Sequence, residues 1–142
     1  MYLFINTANN ENIFLALLDK KGDILIQKNI KAKYQQLEKL LKNIDALLGA
    51  GFQTCGPRKA TGKDASGQLC GIICVIGPGG FTSLRIGIAT CNAMAWALDI
   101  PIIGVNNLTE IKKSIKLIAK QKKFKKQILP EYGKEPNITI EK

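Results

Sequence analysis

The chain contains no histidine. That removes Ser-His-Asp and Cys-His nucleophile pairs, an imidazole general base and His-ligated metals in one step. Chemistry here would rest on carboxylates, Lys, Cys or backbone amides. Two glycine-containing strings could present such amides. The first, Gly77-Pro78-Gly79-Gly80-Phe81-Thr82-Ser83-Leu84-Arg85-Ile86-Gly87, follows an apolar run and opens a helical one. A glycine turn of this kind delivers free amides to a helix N-terminus, where Gly77, Gly79, Gly80 and Thr82 can hold an anion. The same glycines equally serve a tight strand-to-helix turn. The second string, Gly56–Asp64, approaches a nucleotide P-loop but departs from it twice. Five residues separate its glycines instead of four, and Asp64 stands where Ser or Thr should follow Lys63. No strand leads into it, and it is set aside.

Charge is concentrated in one place. The run Lys112–Lys126 carries eight lysines, among them Lys112, Lys113, Lys116, Lys120 and Lys123, and no acid; it supplies +8 of the formal net +10. Such a segment suits RNA phosphates, and equally an ordinary solvated helix face. Phe124 is the one aromatic among these lysines, so contacts would be to phosphate with little base specificity. Cys55, Cys70, Cys74 and Cys91 form no C-x-x-C pair, and two lie in strongly apolar runs, a usage that points to a reducing compartment. Met1–Asn6 reads as a short strand rather than a signal peptide. No apolar stretch approaches the ~20 residues that span a bilayer. The expectation is a cytoplasmic protein with no membrane contact, no metal and no cofactor.

The elements that must position these residues follow from periodicity. At 142 residues the length suits one domain. Tyr2–Ile5, Ile13–Leu18 and Ile24–Ile26 read as three strands, the last two joined by a turn at Asp19-Lys-Lys-Gly22-Asp23. Tyr34, Leu37, Leu40, Leu41, Ile44, Leu47 and Leu48 recur at helical spacing up to Gly49. Residues 49–68, rich in glycine, read as a flexible loop insertion. Cys70–Ile76 suits a central strand, and Thr82 or Ser83 can cap the helix that follows to Leu98. That helix carries one charge, Arg85, so it requires cover on more than its sheet side. Pro101–Val105 is a further strand. Asn106 or Asn107 can cap a last helix with Leu108, Ile111, Ile115 and Ile118 on its apolar stripe. The order β-β-β-α-β-α-β-α predicts an α/β domain over residues 1–127, a mixed five-stranded sheet with helices on both faces, and an extended tail over residues 128–142.

The string Gly77–Gly87, the Ala-rich helix and Ile100-Pro-Ile-Ile-Gly-Val105 together resemble the TsaB (YeaZ-like) family of bacterial tRNA threonylcarbamoyladenosine biosynthesis proteins. That family shows G-P-G-[SG]-F-T-[GS]-L-R-I-G, a helix, then I-P-x-x-G-V. Ile5-Asn6-Thr7, the leucine-rich helix and the tail around Pro130-Glu131-Tyr132 also sit where that family has matching segments. The resemblance implies a Gcp-like domain, half of an actin-like ATPase (ribonuclease H-like) fold. It implies a non-catalytic dimerisation or scaffold subunit of N6-threonylcarbamoyladenosine (t6A37) synthesis, paired with a catalytic TsaD-like subunit and a TsaE-like ATPase, reaching tRNA through the complex. Pairing would use the two helices packed as a four-helix bundle, with Tyr34, Leu37, Leu41, Ile44, Leu48, Phe81, Leu84, Arg85, Ile88 and Met94 near the partner. A homodimer is the expectation for the isolated chain. Departures from the family include Asn6 in place of its Asp and the short length, which leaves no room for its second subdomain. Two alternatives stand beside this reading. One is a minimal ATP-binding or phosphotransfer domain using the Gly77–Gly80 turn and Thr7; the other is direct tRNA binding through the basic helix 112–126.

Overall fold

A computed structural model describes residues 1–49, 53–54, 68–121 and 123–131. The expectations for the P-loop-like string, for most of the loop insertion and for the tail beyond residue 131 lie outside these residues.

The elements in chain order are β1 (Tyr2–Asn6), β2 (Asn12–Leu18), β3 (Ile24–Lys31), α1 (Gln36–Leu48), β4 (Gln53–Thr54), β5 (Gln68–Leu69), β6 (Gly71–Val75), α2 (Phe81–Leu98), β7 (Ile102–Val105) and α3 (Ile111–Ile118), the last preceded by a 3-10 turn at Leu108–Glu110. Five strands form one mixed sheet in the order β3-β2-β1-β6-β7, while β4 and β5 pair separately. β1, β2 and β3 are antiparallel neighbours. β6 pairs parallel with β1 and β7 parallel with β6. Their connections carry α2 and, with the short pair, α1, as parallel neighbours require a crossover.

Alternation along the central strands sorts the core into two layers. Leu3 and Ile5 of β1 and Leu15 and Leu17 of β2 face Leu40, Ile44, Leu84 and Ile88 of the first two helices. Tyr2 and Phe4, with Ala16 and Leu18, face Ile115 and Ile118 of α3 on the other side. The helices thus cover both faces, as expected. Local signals also act as read: Gly22 (φ +94°) closes the β2–β3 turn and Gly49 (φ +75°) ends α1. The Asn107 side chain accepts from the Thr109 amide to start the last helical segment. The cap of α2 differs. Gly80 holds that position and has no side chain to cap with; the Ser83 hydroxyl lies inside the first turn, on Asn10 Oδ1 and the Gly80 carbonyl.

Two larger departures concern the C-terminal third. The basic helix stops at Ile118 rather than running to residue 126. The chain then passes to the opposite face of the sheet, where Phe124 and Ile128 pack against the α1–α2 layer. There it runs antiparallel to α2 and is tied down along its length. The Phe124 amide donates to Asp99 Oδ1 (3.3 Å), Asn92 exchanges two 2.9 Å bonds with Ile128, and the Glu131 amide donates to the Ile76 carbonyl (2.7 Å). The domain boundary expected after residue 127 therefore falls inside a packed segment. The sheet, α1 and this strap cover α2 on its inner side and flanks, while its outward stripe stays exposed.

Candidate partner interface

Helix geometry decides which residues of α1 and α2 face outward. On α1, Leu40, Ile44 and Leu47 are buried, while Leu37 and Leu41 on the adjoining stripe are 52% and 50% exposed. On α2 the buried stripe is Leu84, Gly87, Ile88, Cys91 and Ala95, and the outward one is Phe81, Arg85, Ala89, Ala93 and Trp96. Both outward stripes belong to packed neighbouring helices, so they form one largely apolar surface whose one cation on α2, Arg85, lies 5.2 Å from the Phe81 ring centroid. At one end a cleft of about 670 Å³ opens between the β1–β2 turn and the first turns of both helices, lined among others by Asn10, Tyr34, Leu37, Ser83 and Ile86. Tyr34 stands at its rim, 94% exposed and in the left-handed region (φ +64°). A non-glycine residue rarely holds that conformation.

Of the residues expected at a partner surface, Tyr34, Leu37, Leu41, Phe81 and Arg85 lie on this face. Leu48 and Met94 are half-buried. Ile44, Leu84 and Ile88 are not available: they are 4%, 0% and 4% exposed and complete the domain's own core. Period alone separates a buried stripe from an outward one only if one stripe is polar, and α2 has no polar stripe. Ala89, Ala93 and Trp96 were missed for the same reason. Trp96, 73% exposed on a helix of a small domain, was the available signal.

The glycine turn serves packing. A Cβ at Gly79 would lie 2.6 Å from the Ala8 carbonyl oxygen, and one at Gly80 would run into the Asn10 side chain. At Gly77 (φ +143°) the space is filled by the Glu131 carbonyl, and at Gly87 by the Thr7 side chain. The Gly80 amide donates to the Ala8 carbonyl at 2.9 Å. Thr7, which the phosphotransfer reading would use, is fully buried, and its hydroxyl donates to the Ser83 carbonyl at 2.8 Å. The sequence string that most suggested phosphate binding is thus used to bring the β1–β2 turn and the strap against α2. An anion at Gly77 would meet the electronegative Glu131 carbonyl instead of an open amide. Thr82 remains exposed at the cleft rim.

The lysines divide between the two faces. Lys112, Lys113 and Lys116 project from α3, with Lys120 just beyond it, whereas Lys123 lies on the path to the strap beside α2. The cysteines also part ways. Cys74 and Cys91 are free and buried, and burial pushes the Cys91 thiol well up, with Cys74 adding to the shift. Cys70 is disulfide-bonded, which removes the support that cysteine usage lent to a reducing compartment. Among the described residues no helix is long and apolar enough to cross a membrane.

A mixed sheet of this order, three antiparallel strands followed by two parallel ones with helices on both faces, is the half-unit of the actin-like, Gcp-type fold. Known proteins narrow this. Residues 61–126 match the family described as TsaD, tRNA N6-adenosine threonylcarbamoyltransferase. The tRNA threonylcarbamoyladenosine biosynthesis protein TsaB of Bacillus subtilis is 44% identical over 41 residues, 29% of this chain and 18% of that protein. The tRNA N6-adenosine threonylcarbamoyltransferase of Desulfitobacterium hafniense is 48% identical over 46 residues, 32% of this chain and 14% of that protein. The solved structure of YeaZ from Pseudomonas aeruginosa superposes with a TM-score of 0.58 at 25% identity, covering 75% of this chain and 43% of its own. The chain is similar to TsaB and TsaD proteins over part of its length, and it spans less than a fifth of these curated relatives and under half of the solved one.

Proposed function

We propose that this chain is a non-catalytic partner subunit in N6-threonylcarbamoyladenosine synthesis, docking on a TsaD-like catalytic protein through the outward face of α1 and α2. The observation that carries this reading is the exposure of Leu37, Leu41, Phe81, Ala89, Ala93 and Trp96 on neighbouring helices whose core sides are already filled. Contiguous exposed apolar surface of this kind marks an association site. The alanines at positions 89 and 93, one helical turn apart, let a partner helix approach α2 closely. The Gcp-like neighbours support the choice of partner, and the filled glycine turn and buried Thr7 favour a scaffold over a nucleotide-handling role. In this reading a TsaE-like ATPase joins the assembly, tRNA is its substrate, the setting is the cytoplasm, and the isolated chain self-associates through the same face.

Co-expression with the cognate TsaD-like protein tests the proposal. The pair should co-purify, and Ala89→Glu should abolish co-purification while leaving the thermal midpoint of the isolated chain within a few degrees. Failure of the unaltered pair to associate would refute it. In cells, loss of this chain should remove threonylcarbamoyladenosine from tRNA, and the Ala89→Glu variant should not restore it.

A further inference from the structure

The structure brings together two lysine groups that are far apart in sequence. The β2–β3 turn folds over the α3 face, where a Cβ at Gly22 would lie 3.1 Å from Ile115 Cδ1 and 3.3 Å from Lys112 Cγ. Lys20 and Lys21, immediately before Gly22 in this turn, are exposed, as are Lys112, Lys113, Lys116 and Lys120. Lys112, Lys116 and Lys120 follow one another at four-residue steps, one stripe along the helix and its continuation. The acids nearby, Asp19, Asp23 and Glu110, are fewer than these six lysines and form no ion pair with them, so the surface keeps a positive excess. Asp19 Oδ1 accepts from the Lys21 and Asp23 amides, and Glu110 Oε2 from the Asn106 amide. Asp23 is exposed in the turn. Among the described residues the one ion pair is Lys33 with Glu11, elsewhere in the molecule. The Met1 ammonium, at the same end of the sheet, is held below its ordinary range by burial and then by the charge of Lys20.

We propose that Lys20 and Lys21 of the β2–β3 turn and Lys112, Lys113, Lys116 and Lys120 of α3 form one surface that binds the phosphate backbone of RNA. Unpaired cations on neighbouring elements attract a polyanion and release its counterions. RNA is chosen over other polyanions because the relatives' names place them on tRNA, a choice that rests on the proposed function. The surface lies across the sheet from the α1–α2 face, so a protein partner and an RNA can be held at once. Lys125 and Lys126, on the opposite face with the strap, are excluded from it.

The test is fluorescence anisotropy of the full chain with a labelled tRNA transcript across a salt series. Lys20→Gln/Lys21→Gln/Lys112→Gln/Lys116→Gln should weaken binding on the order of tenfold to a hundredfold at ~0.1 M salt and lower the salt slope by about 3. A variant of equal charge change at exposed positions elsewhere, Lys31→Gln/Lys42→Gln/Lys125→Gln/Lys126→Gln, should cost under about threefold. Equal losses in the two variants, or no measurable binding by the unaltered chain at ~0.05 M salt, would overturn the proposal. So would tighter binding to vesicles carrying anionic lipid than to the transcript, which would make the surface a membrane contact. Co-purification with the TsaD-like protein is measured on the same variants. Retained pairing with lost RNA binding supports the surface, while lost pairing of the unaltered chain refutes the partner reading alone.

Discussion

On one face of the sheet, α1 and α2 turn outward Leu37, Leu41, Ala89, Ala93 and Trp96, with Arg85 the one cation on α2; on the other, α3 turns outward Lys112, Lys113 and Lys116. Both faces bury their inward stripes equally well: Leu84 and Ile88 on the first, Ile115 and Ile118 on the second. The difference therefore owes nothing to what folding requires. A helix that must only cover a sheet can leave its outer side polar, as α3 does. A helix that leaves its outer side apolar after its inner side is satisfied offers that side for association, which is the basis of the proposed docking face.

Separating inner from outer residues on these helices gives the largest expected effect. Leu84→Ala should lower unfolding stability by about 3 kcal/mol or more, since Leu84 is fully buried and the site cannot collapse around the loss. Leu41→Ala, half exposed, should cost well under 1 kcal/mol, yet weaken association with the TsaD-like protein by roughly tenfold or more. Denaturant titration and a binding isotherm on both variants check the pair. The contrast between inner and outer stripes breaks down if the Leu41 change unfolds the domain or the Leu84 change leaves stability untouched.

A second effect concerns the turn. Gly87→Ala places a methyl group into the Thr7 side chain beneath α2, an overpacking that should destabilise by about 1–3 kcal/mol. If the Gly77–Gly80 turn instead served an anion, millimolar phosphate would raise the thermal midpoint of the unaltered chain. Thermal melts with and without phosphate distinguish the two.

How much of this was legible beforehand differs between regions for physical reasons. The sheet and its helices follow from period: alternation in Ile13–Leu18, the three- and four-residue steps of Leu37–Leu48, and the continuous apolar run of β6. The sidedness of α2 did not follow, because a helix apolar all round carries no phase. The extent of the basic helix did not follow either. Lysine is a good helix former, so composition continued the helix to residue 126, whereas the packing of Phe124 and Ile128 beside α2 ends it at Ile118. The role of the glycines was undecided between an anion cradle and close packing, and it is the positions of Ala8, Asn10, Thr7 and Glu131 that favour packing. None of these contacts is local in sequence except within the turn itself.

The strap supplies a third effect, smaller again. Asn92 holds Ile128 by a bond in each direction, so Asn92→Ala should cost about 1–2 kcal/mol. The cost should appear as local opening, with amide exchange at Phe124 and Ile128 accelerating more than exchange in β1 or β6. Uniform acceleration would instead make the strap part of the cooperative core. Loosening it also uncovers the side of α2 away from α1, so a modest rise in self-association of the isolated chain should accompany the change.

The smallest effect is a titration on the lysine-bearing side. Asp19 is held below its ordinary range chiefly by the Asp23 amide, with the Lys21 and Gly22 amides contributing and burial opposing. A depressed carboxylate stabilises the turn fully above its unfolded value, near pH 4, and that support is lost as pH falls through the lower folded value. Amide protection at Lys21 and Asp23 should therefore fade below about pH 4 while protection in β6 persists. Asp19→Asn keeps an oxygen acceptor of the same geometry but cannot titrate, so its protection should stay flat over that range. A variant that fades in step with the unaltered chain would show that other carboxylates govern the turn. Because this turn sets Lys20 and Lys21 beside Lys112, its loosening should also flatten the salt dependence of RNA binding, although protonation raises the net positive charge. A flattening under those conditions points to geometry, since charge alone predicts the reverse.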